Sequence, residues 1–355
     1  MDLRKNSFST LRKTKMICIF MTAIAGLTLF LTNAEDVFRT NTDKEYKNLT
    51  MLSIATQYRL YLNGSKVLEN TTNKENKALE KVVLDFVEKN SSIVYTTVFL
   101  ISSRVNHTER RNLIRESWGN SSYWNTTETY LIVFVVGIVT ENRIMNKTLA
   151  EAKVTKDILY LNVTEDFYLL AEKVIIGLTW AKKNLKFKAV LKGDDDAFMN
   201  IDNILEFINR NNVINGYFGN KLTNLQVLRT GRYMVTKEEW NPDFFYPYCS
   251  GGGFLLTNSS VYKMIEIFDL QKKFRIDDAY IGEVAFQAGI TVDGVNGFYM
   301  FNYGCEYRND ILVSHPSTDV GCNTFLLKRH LIDKRKIPRD LKLESTRCYR
   351  DVLDC

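Results

Sequence analysis

Phe187-Lys188-Ala189-Val190-Leu191-Lys192-Gly193-Asp194-Asp195-Asp196-Ala197-Phe198-Met199-Asn200 passes from a short apolar run into three consecutive aspartates. The first half has the composition of a strand buried on both faces. Adjacent like charges repel, so the triplet needs a cation or a group of donors to hold it in one place. In extended chain Asp194 and Asp196 point to the same side and can share a hard divalent metal that also holds phosphate oxygens. The competing reading is a solvated acidic turn that caps a following helix over 201–209.

Working outward, Tyr95–Ser102, Thr129–Gly137 and Asp157–Asn162 are further short apolar runs rich in β-branched residues. Helical stretches lie between the four runs, over Glu109–Trp118, Asn142–Lys156 and Glu172–Lys183. Strands alternating with helices predict an α/β fold with a mostly parallel sheet and helices on both faces. Ligands of such sheets gather at the carboxyl ends of strands, which is where the aspartates fall.

Four other segments carry candidate chemistry. Tyr246-Pro-Tyr-Cys249-Ser250-Gly251-Gly252-Gly253 strips the side chains from a stretch beside aromatics, so backbone can approach a sugar or phosphate closely, although a flexible turn explains it as well. Arg275-Ile-Asp277-Asp278 reads as an acidic pair opening a helix that stops at Gly289. The competing reading makes Asp277 a simple N-cap, and it still leaves Asp278 available as a base. His315 follows a strand-like run and is one of only three histidines. Arg111 and Arg115, four apart on a helix face, are able to bind phosphate or to pair with acids, surface salt bridges being the commoner fate of such a pair.

Taken together and in order, these segments resemble the β1,3-glycosyltransferases of glycosyltransferase family 31. The family's motifs are matched at Arg111–Gly119, Phe134–Gly137, Lys192–Asn200, Tyr246–Gly253 and Asp277–Gly282, and the likeness spans roughly residues 95 to 320. The resemblance implies a GT-A glycosyltransferase fold with a Rossmann-like sheet, a UDP-sugar donor, a Mn²⁺ ion and transfer with inversion at the anomeric carbon. Carried over by position, Asp194, Asp196 and His315 hold the metal, Asp195 meets the ribose or sugar of the donor, and Asp278 is the base. Arg111, Arg115, Asp194, Asp195 and Gly251–Gly253 are the expected donor-binding set. The chain departs from the family pattern at Ala279, where Val is usual, and at Asn184, near where many members have Cys, so the family's disulfides do not transfer directly.

The amino-terminal region assigns a compartment. A basic stretch over residues 1–15 precedes an uncharged run from Met16, and a transmembrane signal anchor is expected over 16–32. The positive flank places the amino terminus in the cytosol and the rest in the lumen, as in a type II Golgi enzyme. A cleaved signal peptide, with Thr32-Asn33-Ala34 at the cut, is the rival and delivers the body to the same side. Residues 33–92 read as a stem and 93–355 as the lumenal catalytic domain. Asn-x-Ser/Thr acceptors at Asn48, Asn63, Asn70, Asn90, Asn106, Asn120, Asn125, Asn146, Asn162 and Asn258 all follow the apolar run.

Lys and Arg exceed Asp and Glu by 47 − 41 = +6, but residues 1–15 and 328–355 each hold +4. The body is thus about −2, which argues against a nucleic-acid partner. Of Cys249, Cys305, Cys322, Cys348 and Cys355, five cannot all pair within one chain in an oxidising lumen, so one is free or joins another molecule. An oligomer, disulfide-linked or not, stays open. The reading is therefore a UDP-sugar-dependent hexosyltransferase acting on a glycan of a glycolipid or glycoprotein, with galactose favoured. The alternative is a non-catalytic relative that binds donors or client transferases.

Overall fold

A computed structural model of the chain describes residues 93–210, 215–269, 272–317 and 320–335. Among these no helix is long and apolar enough to cross a membrane. The expected tail, anchor and stem, four of the glycosylation acceptors and Cys348 and Cys355 lie outside the described residues.

The four apolar runs form β1 (Val94–Ser102), β2 (Tyr130–Ile138), β3 (Ile158–Thr164) and β4 (Lys186–Asp194). They are joined by α1 (Thr108–Glu116), α2 (Asn142–Thr155) and α3 (Leu170–Asn184). Beyond them come β5 (Phe198–Met199), α4 (Ile201–Arg210), β6 (Tyr217–Leu222), β7 (Tyr248–Thr257) and α5 (Asn258–Ile265). The chain continues through α6 (Asp277–Gln287), β8 (Val292–Gly294), β9 (Phe298–Tyr299), β10 (Val313–Ser314) and α7 (Val320–Arg335).

The central sheet runs β3-β2-β1-β4-β7-β6-β8. Its pairings are parallel except where β7 lies antiparallel to both β4 and β6. Strand alternation accounts for helices on both faces. Phe99, Ile101, Phe134, Val136, Ala189 and Leu191 point into a core closed by Ile114 of α1, Leu149 of α2, Ile204 of α4 and Leu326 of α7. Leu100 and Val135, one residue out of phase, face Val174, Gly177 and Leu178 of α3. Helix α4 is amphipathic, with Ile201, Ile204, Leu205 and Ile208 buried at helical spacing. Gly289, at φ +63°, ends the turn after α6 as its sequence position predicts.

A small second sheet, β5-β10-β9, decides where the late histidine goes. Strand β10 pairs antiparallel with β5, placing Ser314 opposite Phe198. His315 is thereby carried back to the acidic turn that precedes β5. Cys305, just before β10, is disulfide-bonded to Cys322 of α7 with Cα atoms 5.7 Å apart, while Cys249 is a buried free thiol.

Candidate active site

The carboxyl ends of β1 and β4 lie side by side, with Ser102 opposite Asp194. Chain order reverses here, β1 leading to β2 and β3 on one side while β4 sits on the other. Connections leave such a point toward opposite faces and open a crevice between them. Antiparallel β7 adds its glycine run to the same edge, with Gly253 opposite Gly193.

The acidic turn is braced from below. Asp195 N donates to Ser102 O at 3.1 Å, and Trp118 Nε1 donates to Ala197 O at 3.1 Å. Asn200 Oδ1 accepts from Asn203 N at 3.2 Å, so Asn200 caps α4 and the aspartates are free for other work. Ligand atoms of Asp194, Asp196 and His315 all lie within 4.8 Å of one another. Two carboxylates and one imidazole suit a divalent ion that accepts both oxygen and nitrogen donors, so the residues present fit a metal of the kind expected.

Each aspartate has a different environment. Asp194 takes a hydrogen bond from Lys192 Nζ at 2.9 Å. Burial and the nearby Asp277 and Asp196 charges nevertheless push its pKa up against the pull of Lys192. Asp195 is held by His107 Nδ1 at 2.8 Å and Arg110 Nη1 at 2.9 Å. Burial alone would raise its pKa, but His107, Ser103 and Arg110 outweigh burial and hold it low. Asp196 presents Oδ2 to Arg110 at 3.2 Å and Oδ1 to His315 Nε2 at 3.3 Å. These cations overcome its burial and lower its pKa. The same contact raises His315 despite desolvation.

Asp278 faces the glycine run. Its Oδ2 accepts from Gly251 N at 2.9 Å and its Oδ1 from Ala279 N at 2.8 Å. Burial, then the adjacent Asp277 charge, pushes its pKa up to about 7, with Lys192 and the two N–H groups opposing. Lys192 is the hub between the acids. Its Nζ donates to Gly251 O at 2.7 Å and lies 3.3 Å from Asp277 Oδ2. Desolvation favours the neutral amine, yet Asp194 and Asp277 hold the ammonium above its ordinary range.

Several expectations need correction. Arg111 is not at the crevice for a donor to reach. It is fully buried, its Nε and Nη2 bonded to Glu151 at 2.8 and 2.7 Å and its Nη1 to Arg104 O at 2.6 Å. Arg115 grips Asp157 through two hydrogen bonds of 2.8 Å each. Both arginines tie α1 to α2 and the loop before β3, the acid-pairing outcome of their spacing. Asp195 is buried with both oxygens engaged, by His107 and Arg110, so a ribose or sugar reaches it only where Arg110 gives way. Asp277 is not the N-cap; that position is Ile276 without a side-chain bond, and Asp277 turns to Lys192.

The glycine run also differs in its reason. A Cβ on Gly252 would lie 2.6 Å from His315 Cγ, and one on Gly253 would lie 2.8 Å from Val313 Cγ1. These glycines make room for the small sheet and its histidine, while Gly251 uses its N–H to hold Asp278.

His107, Arg110 and the bridging role of Lys192 were not anticipated. Two signals for them existed: Lys192 is two residues before Asp194 on one strand and so shares its side. His107 and Arg110 open the helix that follows β1, beside the switch point.

Fold and cluster together define an α/β protein with a candidate divalent-cation centre at the carboxyl edge of its sheet. The chain belongs to the galactosyltransferase family, whose family model, described as Galactosyltransferase, matches residues 109–295 of its 355. The resemblance to glycosyltransferase family 31 is thus borne out, and the architecture fits the GT-A fold. Similar proteins include N-acetyllactosaminide beta-1,3-N-acetylglucosaminyltransferase 4 of Homo sapiens, 27% identical over 61% of this chain and 61% of its own length. UDP-GlcNAc:betaGal beta-1,3-N-acetylglucosaminyltransferase 7 of Rattus norvegicus is 29% identical over 65% of this chain and 64% of its own. Beta-1,3-galactosyltransferase brn of Drosophila melanogaster is 26% identical over 62% of this chain and 70% of its own. The chain therefore spans about three fifths of the length of the first of these relatives.

Proposed function

We propose that this protein is an inverting β1,3-glycosyltransferase that moves a hexose or N-acetylhexosamine, with galactose favoured, from a UDP-sugar to a glycan hydroxyl on a glycolipid or glycoprotein. The observation that carries this reading is the placement of Asp278, anchored by Gly251 N on the strand whose next residue packs against His315 of the metal cluster. Family membership and the relatives' names support a β1,3-glycosyltransferase.

Asp194, Asp196 and His315 would hold the ion, Mn²⁺ in this proposal, and its chemistry when bound is neutralisation of charge on the departing diphosphate. Asp278 accepts the proton of the acceptor hydroxyl as that oxygen attacks. A carboxylate pKa near the operating pH is what a general base needs, and Asp278 is raised to about 7. Its two N–H partners fix the carboxylate plane, so the base does not reorient during transfer. Attack from the face opposite the leaving group inverts the anomeric carbon in one displacement, with no enzyme nucleophile required, as in inverting hydrolases.

We further place the body in the Golgi lumen behind a type II anchor at 16–32. The uncharged run with its basic flank supports this, and so does the Cys305–Cys322 disulfide, which suits an oxidising compartment.

The test is UDP release by the full-length chain from several UDP-sugars, with Mn²⁺ or EDTA and with or without glycan acceptors. We expect release that needs the ion and rises with acceptor. Asp278→Asn keeps UDP binding while transfer falls by about 10²-fold or more. Absence of both metal dependence and acceptor stimulation refutes the reading.

A further inference from the structure

We infer that Arg110 is a placeholder cation: it neutralises Asp195 and Asp196 until the divalent ion arrives, then turns its guanidinium onto the diphosphate of the nucleotide donor. This assignment rests on the function proposed above and goes beyond it, because Arg110 belongs to neither the expected metal set nor the expected donor set.

Among the described residues only one nitrogen of Arg110 is engaged: Nη1 serves both Asp195 Oδ1 and Asp196 Oδ2, while Nε and Nη2 meet no hydrogen-bond partner there. The side chain is one-third exposed. It stands in the first turn of α1, whose amino terminus opens toward the switch point and whose dipole favours an anion there. Arg111, next in sequence, is the contrast: it has no exposed surface and every nitrogen of its guanidinium is bonded, so it cannot leave its place.

Departure of Arg110 costs its partners little. Asp195 keeps His107 at 2.8 Å and its backbone bond to Ser102. Asp196 keeps its Oδ1 side, which faces His315, and gains the ion. A divalent ion shared by Asp194, Asp196 and His315 and a guanidinium on the same Asp196 carboxylate repel each other at short range. The free Nε and Nη2 supply the planar fork that matches phosphate oxygens, which Lys at this position would lack.

Two affinities measured on the full-length protein test this. Mn²⁺ alone is titrated by electron paramagnetic resonance, and UDP is titrated calorimetrically at saturating Mn²⁺, for wild type, Arg110→Met and Arg110→Lys. Arg110→Met should bind Mn²⁺ alone severalfold more tightly, since a competing cation is gone. The same variant should bind UDP at least about tenfold more weakly, the loss of one charge-assisted contact. Arg110→Lys should fall between the two for UDP. Weaker Mn²⁺ binding in Arg110→Met would mean that Arg110 merely holds the acidic turn together, and unchanged UDP affinity would mean that it never meets the diphosphate; either overturns the assignment alone. A wild-type protein that binds no UDP with Mn²⁺ present overturns the proposed function and this assignment together. A variant that melts well below wild type counts as the turn-holding outcome and against the assignment.

Discussion

Replacing Gly252 with alanine should detach His315 from the metal cluster while leaving the rest of the fold standing. A Cβ at position 252 would sit 2.6 Å from His315 Cγ, 2.9 Å from its Nδ1 and 3.0 Å from Met300 Sδ. Carbon atoms in contact prefer a separation near 3.5 Å, so the ring must retreat by about 0.9 Å. Metal–ligand distances tolerate only about 0.2 Å, so the ring cannot both clear the methyl group and stay a ligand. Overpacking of this kind costs roughly 1–3 kcal/mol, equivalent to about 5- to 150-fold in Mn²⁺ affinity if the strain falls on the ligand. Titration of Mn²⁺ by electron paramagnetic resonance reads that loss, and thermal unfolding without metal checks the fold. Gly193→Ala is the control. Its Cβ would overlap Met199 Cε at 2.0 Å, a nominally worse clash with the far end of a flexible side chain that can swing away. Gly193→Ala should therefore retain Mn²⁺ affinity. If Gly252→Ala binds Mn²⁺ like wild type, His315 is not a ligand or the glycine run is not tight for the reason given.

Two further outcomes follow from the ion pairs. Arg111→Met should cost about 1–3 kcal/mol in urea unfolding, because Glu151 and the Arg104 and Val105 carbonyls lose the buried guanidinium while Glu151 keeps Arg115 at 2.8 Å. The fraction that folds should keep its affinity for UDP, since Arg111 lies away from the crevice. For Asp278 the fold raises the carboxyl to about 7, so its protonated form is favoured. The stability it contributes is fully present below the unfolded value, near 3.9, and is lost as pH rises through about 7. Urea midpoints at about pH 5 and about pH 8 should converge in Asp278→Asn relative to wild type. In wild type kcat/KM should rise with pH along a limb centred near 7, and a limb centred near 4 would remove Asp278 from the role of base.

Most of the α/β body was legible because its strands are buried on both faces and so read as continuous apolar runs. Predicted Phe187–Lys192 became Lys186–Asp194 and predicted Asn142–Lys156 became Asn142–Thr155, differences of one or two residues at the ends. The antiparallel insertion of β7 between β4 and β6 was not legible. Residue composition does not specify which neighbour a buried strand pairs with, yet that pairing sets Gly253 against Gly193 and brings the glycine run to the acids.

The side-chain site divides in the same way. An acidic pair at a helix start singles out Asp278 from local chain geometry, whereas Asp194 and Asp196 come together not as extended chain but across a turn in which Ala197 N donates to Asp194 O at 3.2 Å. His315 was reached only through resemblance, because its partner Asp196 lies far away along the chain and meets it through the β5–β10 register. The two-arginine face of α1 was visible, but which acids it would meet was not.

Local stereochemistry thus wrote the strands, the helices and the spacing of the aspartates into the chain itself. Three-dimensional packing alone decided that Arg111 is locked onto Glu151 while its neighbour Arg110 reaches the aspartates. The physical reason is that one residue's step along a helix turns a side chain by about a quarter of a turn or more, so adjacent arginines face different surroundings, and strand order and register determine what those surroundings hold.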